Sequence, residues 1–193
     1  MAVHLNRAGI ASGRLPALVL MTDDDRLPDP IAAARGLPPE SLVVVRARND
    51  SRRAKLAEQM QKLAKRRGLR VVVASDAKLV TQYGLSGIHL PENRAHEAVH
   101  WRALRPRWLI TVSAHSLRSI GRPTLADAVF LAPVFATASH VGREPLSAIR
   151  ANSIVRHARI PVYALGGINS HRAIRLWGPH YAGLASVSAL GFG

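Results

Sequence analysis

Two loops late in the chain carry residue types that can hold a phosphate. Leu165-Gly166-Gly167-Ile168-Asn169 closes one apolar run and leads into a polar stretch. Adjacent glycines let a backbone approach an anion closely, and a helix opening after them offers N–H groups. The same pair also reads as a tight connection without a ligand. Ser186-Val187-Ser188-Ala189 ends the next apolar run and can add donors. Taken together, the two loops favour a phosphate cradle built from Gly166, Gly167, Val187 and Ser188. A second group is Arg46 and Arg48, which flank Ala47 and suit an anion through guanidinium forks. Asp76, Glu92, Ser113, Thr137, Ser139, His140 and Arg143 also fall at the ends of apolar runs. His140 and His89 can act as general bases, since histidine titrates near neutral pH. His89 reads more simply as a hydrogen-bonded histidine in a barrel wall, and His115 as a helix cap.

Residues so spread need a scaffold that brings strand ends together. Eight short apolar runs recur along the chain: 17–21, 42–46, 70–74, 87–90, 108–112, 128–131, 161–165 and 183–187. Near-continuous runs of this length read as strands buried on both faces. Helical stretches separate them. Ser51 is expected to cap a helix running to Lys65, and Ser116 and Ser170 to cap two later ones. Eight strands alternating with helices predict a parallel (β/α)8 TIM barrel, with a doubly wound open sheet as the alternative. Polar residues at strand ends then gather at one mouth, where such barrels place their chemistry.

The chain has 193 residues and reads as one domain, 1–193, with residues 1–14 as an N-terminal extension. Cysteine is absent, which excludes disulfides, cysteine-ligated metals and a cysteine nucleophile. The formal net charge is +15, nearly all from arginine. That field suits anionic partners, or it reflects the base composition of the coding genome. The stretch 46–70 holds ten basic residues against Asp50 and Glu58, but no interleaved aromatic residue. It reads as the solvated face of a barrel helix rather than a nucleic-acid surface. No run approaches the roughly 20 apolar residues of a membrane helix, and no secretory cleavage site follows residues 15–21. A cytoplasmic protein without membrane contact is expected, with an organelle transit segment as the alternative.

Several of these stretches resemble the thiamine phosphate synthase and thiazole tautomerase superfamily of small (β/α)8 barrels. They are residues 19–23, 87–90, 112–116, 126–137, 160–169 and 186–190. The synthase joins a pyrimidine methyl diphosphate to a thiazole phosphate and expels pyrophosphate. The resemblance implies that Gly166, Gly167, Val187 and Ser188 bind the thiazole phosphate, and that Thr137 and Ser139 lie near the anions. It puts Ser113 and Arg46 near the diphosphate, with Arg48 in place of a lysine. His140 stands where a further lysine is expected.

Other positions depart from the pattern. A pyrimidine-facing glutamine is replaced by Val44, an Asn-Asp pair by Ala74 and Ser75, and a second magnesium-ligating aspartate by Arg94. Mg²⁺ wants carboxylates, so no metal is expected at Ser75 and Arg94; Asp76 and Glu92 are nearby but shifted in register. The tautomerase histidine is replaced by Pro133. The expected activity is synthase-type transfer on a phosphorylated small molecule. The alternative is a relative that isomerises, carries or senses a thiazole or thiamine phosphate; a module for nucleic acid or another acidic partner is a third reading. Typical barrels run to about 250 residues. The shortfall falls on a short first helix, within 29–36, and a missing eighth. The seam between the first and last strands is expected to be covered by residues 3–13 or by a second copy of the chain.

Overall fold

A computed structural model describes residues 15–121, 124–137, 144–176 and 181–187. Eight parallel strands close on themselves in chain order. They are β1 Leu18–Met21, β2 Leu42–Val45, β3 Arg70–Ala74, β4 Gly87–Leu90, β5 Leu109–Ala114, β6 Ala128–Leu131, β7 Val162–Leu165 and β8 Tyr181–Ser186. The barrel closes through β1 and β8, with Leu18, Val19 and Leu20 opposite Leu184, Ala185 and Ser186. An open doubly wound sheet is thereby ruled out.

Alternate residues of these strands divide the core. Val19, Met21, Leu42, Val44, Val72, Phe130 and Tyr163 fill the barrel interior. Leu20, Val43, Val45, Val71 and Val73 point outward against the early helices, and Ile88, Ile110, Val129 and Leu131 against the later ones. Both faces are dry, which is why the strands read as unbroken apolar runs rather than alternating ones.

The helices are unequal. Among described residues they are α1 Pro30–Arg35, α2 Asp50–Arg67, α3 Ala77–Tyr83, α4 Glu97–Leu104, α5 Leu117–Ile120, α6 Ser147–Arg156 and α7 Ser170–Ala173, with a 3₁₀ turn at Glu92–Arg94. The first helix is indeed short, at six residues. None among the described residues follows β8; the expectation for residues 3–13 falls outside them. Two capping expectations need correction. Asn49, not Ser51, caps α2, its side chain accepting from Arg52 N. Asn169, not Ser170, caps α7 in the same way from Arg172 N. Ser116 caps α5 as expected, in a capping box with Ser119. The basic face of α2 is partly laced by acids, Arg52 with Asp24, Arg53 with Asp50 and Lys62 with Glu58. No described helix is long and apolar enough to cross a membrane.

At the start of β5, opposite the mouth, Trp108 packs against both outer core clusters. Its ring stacks on Trp101 of α4 at 5.7 Å, and the Arg105 guanidinium sits 5.6 Å from the Trp108 centroid.

Candidate active site at the barrel mouth

The C-terminal strand ends enclose a pocket of about 150 Å³. Gly166, Gly167 and Ile168 line one wall, Ser186 and Val187 the next, and Arg26 and Arg46 a third; Thr137 also reaches it. Four of the sequence-derived candidates for an anion site on described residues, besides Arg46, thus share one cavity. Ser139, His140 and Ser188 lie outside the described residues.

The glycine wall owes its shape to left-handed backbone. Gly166 has φ +97° and Gly167 φ +64°. In that conformation consecutive carbonyls turn the same way: Val134 N donates to Leu165 O at 3.0 Å and Phe135 N to Gly166 O at 3.1 Å. Planarity of the trans peptide turns the Gly167 N–H away from the loop after β6, the opposite way to the Gly166 carbonyl. Successive N–H groups presented on one side form an anion-binding concavity. A side chain is barred here on two counts. The backbone is strained for any L-residue, and a Cβ on Gly167 would lie 2.5 Å from Ala136 O. The α7 helix contributes less than its sequence suggests. It is four residues long, and its N-terminal N–H of Arg172 is already held by Asn169 Oδ1 at 2.9 Å.

The arginine wall is built around one carboxylate. Asp23, just past β1, accepts from Arg26 Nη2 at 2.6 Å and from Arg46 Nη2 at 2.6 Å. Partial burial alone would raise the Asp23 pKa; the Arg26 hydrogen bond and charge, with the Arg46 charge, outweigh it and hold the carboxyl well below the usual carboxylate range. Two guanidiniums sharing one carboxylate leave a surplus positive charge at the mouth. Thr22 Oγ1 ties the two loops by donating to Arg46 O and accepting from Arg46 N, both at 2.8 Å. Arg48 is placed differently from Arg46. Its side chain is 79% exposed, pairs with Asp25 and stays out of the pocket lining.

Across the barrel, His89 is 4% exposed. Its Nδ1 lies 3.0 Å from Thr111 Oγ1 and its Nε2 3.0 Å from Ser113 Oγ. Burial, and then the Arg46 charge, push its pKa down to about 3. The imidazole is therefore neutral near pH 7 and serves as a bridge between hydroxyls. It positions Ser113, which does not itself line the pocket. His115 Nδ1 donates to Ala132 O at 2.7 Å.

Residues at the expected magnesium positions do not suit a divalent cation. Arg94 carries a positive charge there and is clamped in a two-pronged ion pair with Glu97, one contact at 2.8 Å. Asp76 caps α3 through Oδ1, accepting from Leu79 N at 3.1 Å, and its Oδ2 faces Arg53 Nη2 at 3.7 Å. Glu92 has a buried Oε2 with no hydrogen-bond partner among the described residues. No group of three or more His, Asp or Glu able to hold a metal occurs among them. Val44, at the glutamine position, is fully buried in the apolar interior.

The family model for thiamine monophosphate synthase matches residues 26–190. The chain belongs to this family. A putative thiamine-phosphate synthase 2 of Aquifex aeolicus is 29% identical over 136 residues, covering 69% of this chain and 73% of that protein. The thiamine-phosphate synthase of Chloroflexus aurantiacus is 28% identical over 160 residues, 78% of this chain and 71% of its own. The solved thiamine phosphate pyrophosphorylase from Pyrococcus furiosus superposes with a TM-score of 0.69 at 19% identity, covering 94% of this chain and 86% of that one. This last likeness speaks for the fold alone.

Sequence reasoning missed Asp23 and Arg26. Asp23-Asp24-Asp25-Arg26 was legible as an acidic break after an apolar run. Its partner Arg46 comes 23 positions later, brought alongside by β1–β2 pairing.

Proposed function

We propose that this member of the thiamine monophosphate synthase family couples a pyrimidine methyl diphosphate to a thiazole phosphate. The observation that carries the reading is one pocket in which the Gly166–Gly167 turn and Val187 share walls with Arg26 and Arg46. The thiazole phosphate sits on the glycine N–H groups, its ring toward Met21 and Leu165. The ring nitrogen gives its electron pair to the pyrimidine methylene carbon. The carbon–oxygen bond to the diphosphate breaks, and that pair departs on pyrophosphate. Arg26 and Arg46 meet the leaving charge with cationic N–H donors, fixed in advance by Asp23, which is the arrangement that stabilises such a step best. Magnesium is given no part, because the residues at its positions do not suit it. Substrates this highly charged do not cross membranes unaided, which supports a cytoplasmic site of action.

A second reading draws on Val44, Ser75 and the Arg94–Glu97 pair. These replace the groups expected to hold the pyrimidine diphosphate, so the protein would bind a thiazole or thiamine phosphate without joining two substrates. Pyrophosphate release from the two substrates together decides between them. The transferase reading expects release, with KM for the thiazole phosphate raised at least about tenfold in Gly167→Ala, the loss of roughly one charged hydrogen bond. Calorimetric binding of the thiazole phosphate with no release would favour the second reading. No binding of either substrate would remove both.

A further inference from the structure

We propose that Arg172 is a positioning residue for the phosphate pocket, locking the Gly166–Gly167 turn against the loop after β6. This rests on the reading of that turn as a phosphate cradle.

Three successive carbonyls of the turn are each held by a donor. Leu165 O and Gly166 O are held by backbone N–H groups of Val134 and Phe135. The third, Gly167 O, is held by a side chain, Arg172 Nη1, at 3.0 Å. Because the peptide unit is planar, fixing the Gly167 carbonyl also fixes the opposite direction of the Ile168 N–H, and Ile168 lines the pocket. The same Nη1 reaches Ala136 O at 3.4 Å, one residue before Thr137. One guanidinium therefore ties two walls of the pocket from behind. Arg172 is itself well fixed. Its Cζ lies 5.5 Å from the Phe135 ring centroid, and its own N–H is capped by Asn169. Both contacts come from one nitrogen, whose reach is set by a planar guanidinium lying over Phe135, a placement that an ammonium does not reproduce.

Arg175 supplies the control. Its Cζ lies 5.9 Å from the same ring, and it carries the same charge without the bond to Gly167. A field effect would weigh the two arginines alike, whereas a positioning effect belongs to Arg172 alone.

The test compares the purified protein with Arg172→Met, Arg172→Lys and Arg175→Met. Calorimetry reads binding of inorganic phosphate, and steady-state pyrophosphate release reads KM and kcat. Arg172→Met keeps an unbranched apolar side chain without the donors and is expected to weaken phosphate binding and raise KM for the thiazole phosphate by about tenfold, with kcat within about twofold. Arg172→Lys is expected to recover only part of the loss, and Arg175→Met to behave as the unaltered protein. Unchanged phosphate binding in Arg172→Met overturns the proposal while leaving the cradle intact. So does full recovery in Arg172→Lys with an equal loss in Arg175→Met. If Arg172→Met does not fold, the Arg172→Lys and Arg175→Met pair decides alone. No phosphate or thiazole phosphate binding by the unaltered protein removes the cradle itself, and the proposal with it.

Discussion

At the scale of single residues, His89 shows how burial decides what a histidine does. Both ring nitrogens face hydroxyls, and the Phe130 ring stands nearly perpendicular with its centroid 5.2 Å away. With a pKa pushed down to about 3, the ring stays neutral while an unfolded chain would protonate near 6.5. The unfolded state therefore takes up the proton first as pH falls. Stability from this group is present above about pH 6.5 and is lost on acidification toward pH 3, by up to about 1.4 kcal/mol per pH unit. Urea melts at pH 7 and pH 5 should show the loss, and His89→Gln should flatten it; equal slopes in both proteins would refute the assignment. The structural role of His89 was legible, because Gly87-Ile88-His89-Leu90 places it inside a short buried strand. Asp23 and Arg172 were not. Their partners Arg46 and Ala136 stand 23 and 36 positions away, and only the pairing of β1 with β2 and of β6 with β7 brings them together.

Elements were the most legible level. All eight apolar runs became strands, and six kept both ends to within one residue. The errors have local causes. Strand β8 starts at Tyr181 rather than Gly183, since its buried tyrosine already pairs with Val162 across a register shift. Helix starts were misread wherever an asparagine preceded a serine. Asn49 has extended backbone, φ −95° and ψ 134°, and takes the capping bond, which leaves Ser51 inside the first turn. Asn49→Ala should therefore cost about 1 kcal/mol of stability, while Ser51→Ala should cost only a few tenths. Chemical denaturation of the two variants reads this directly, and the opposite order would return the cap to Ser51.

For the whole molecule, the +15 charge is unevenly answered. The consecutive acids Asp23, Asp24 and Asp25 engage Arg26, Arg46, Arg52 and Arg48, stapling the first two loops of the mouth. At the metal-ligand positions of the family pattern stand Ser75 and Arg94, the latter paired with Glu97. Pyrophosphate release, on the transferase reading, should therefore persist in excess chelator, and complete loss restored by Mg²⁺ would overturn that expectation. The family was readable from the later loops, whose glycines and small residues are set by close backbone approach. The departures were readable too, but how their replacements pair needed the fold. The stacked Trp101–Trp108 pair at the closed end has a practical consequence. Two indoles this close couple their electronic transitions, so their ultraviolet circular dichroism is a built-in reporter of the scaffold. Being remote from the mouth, that signal should hold steady as ligand fills the pocket and vanish when the barrel opens.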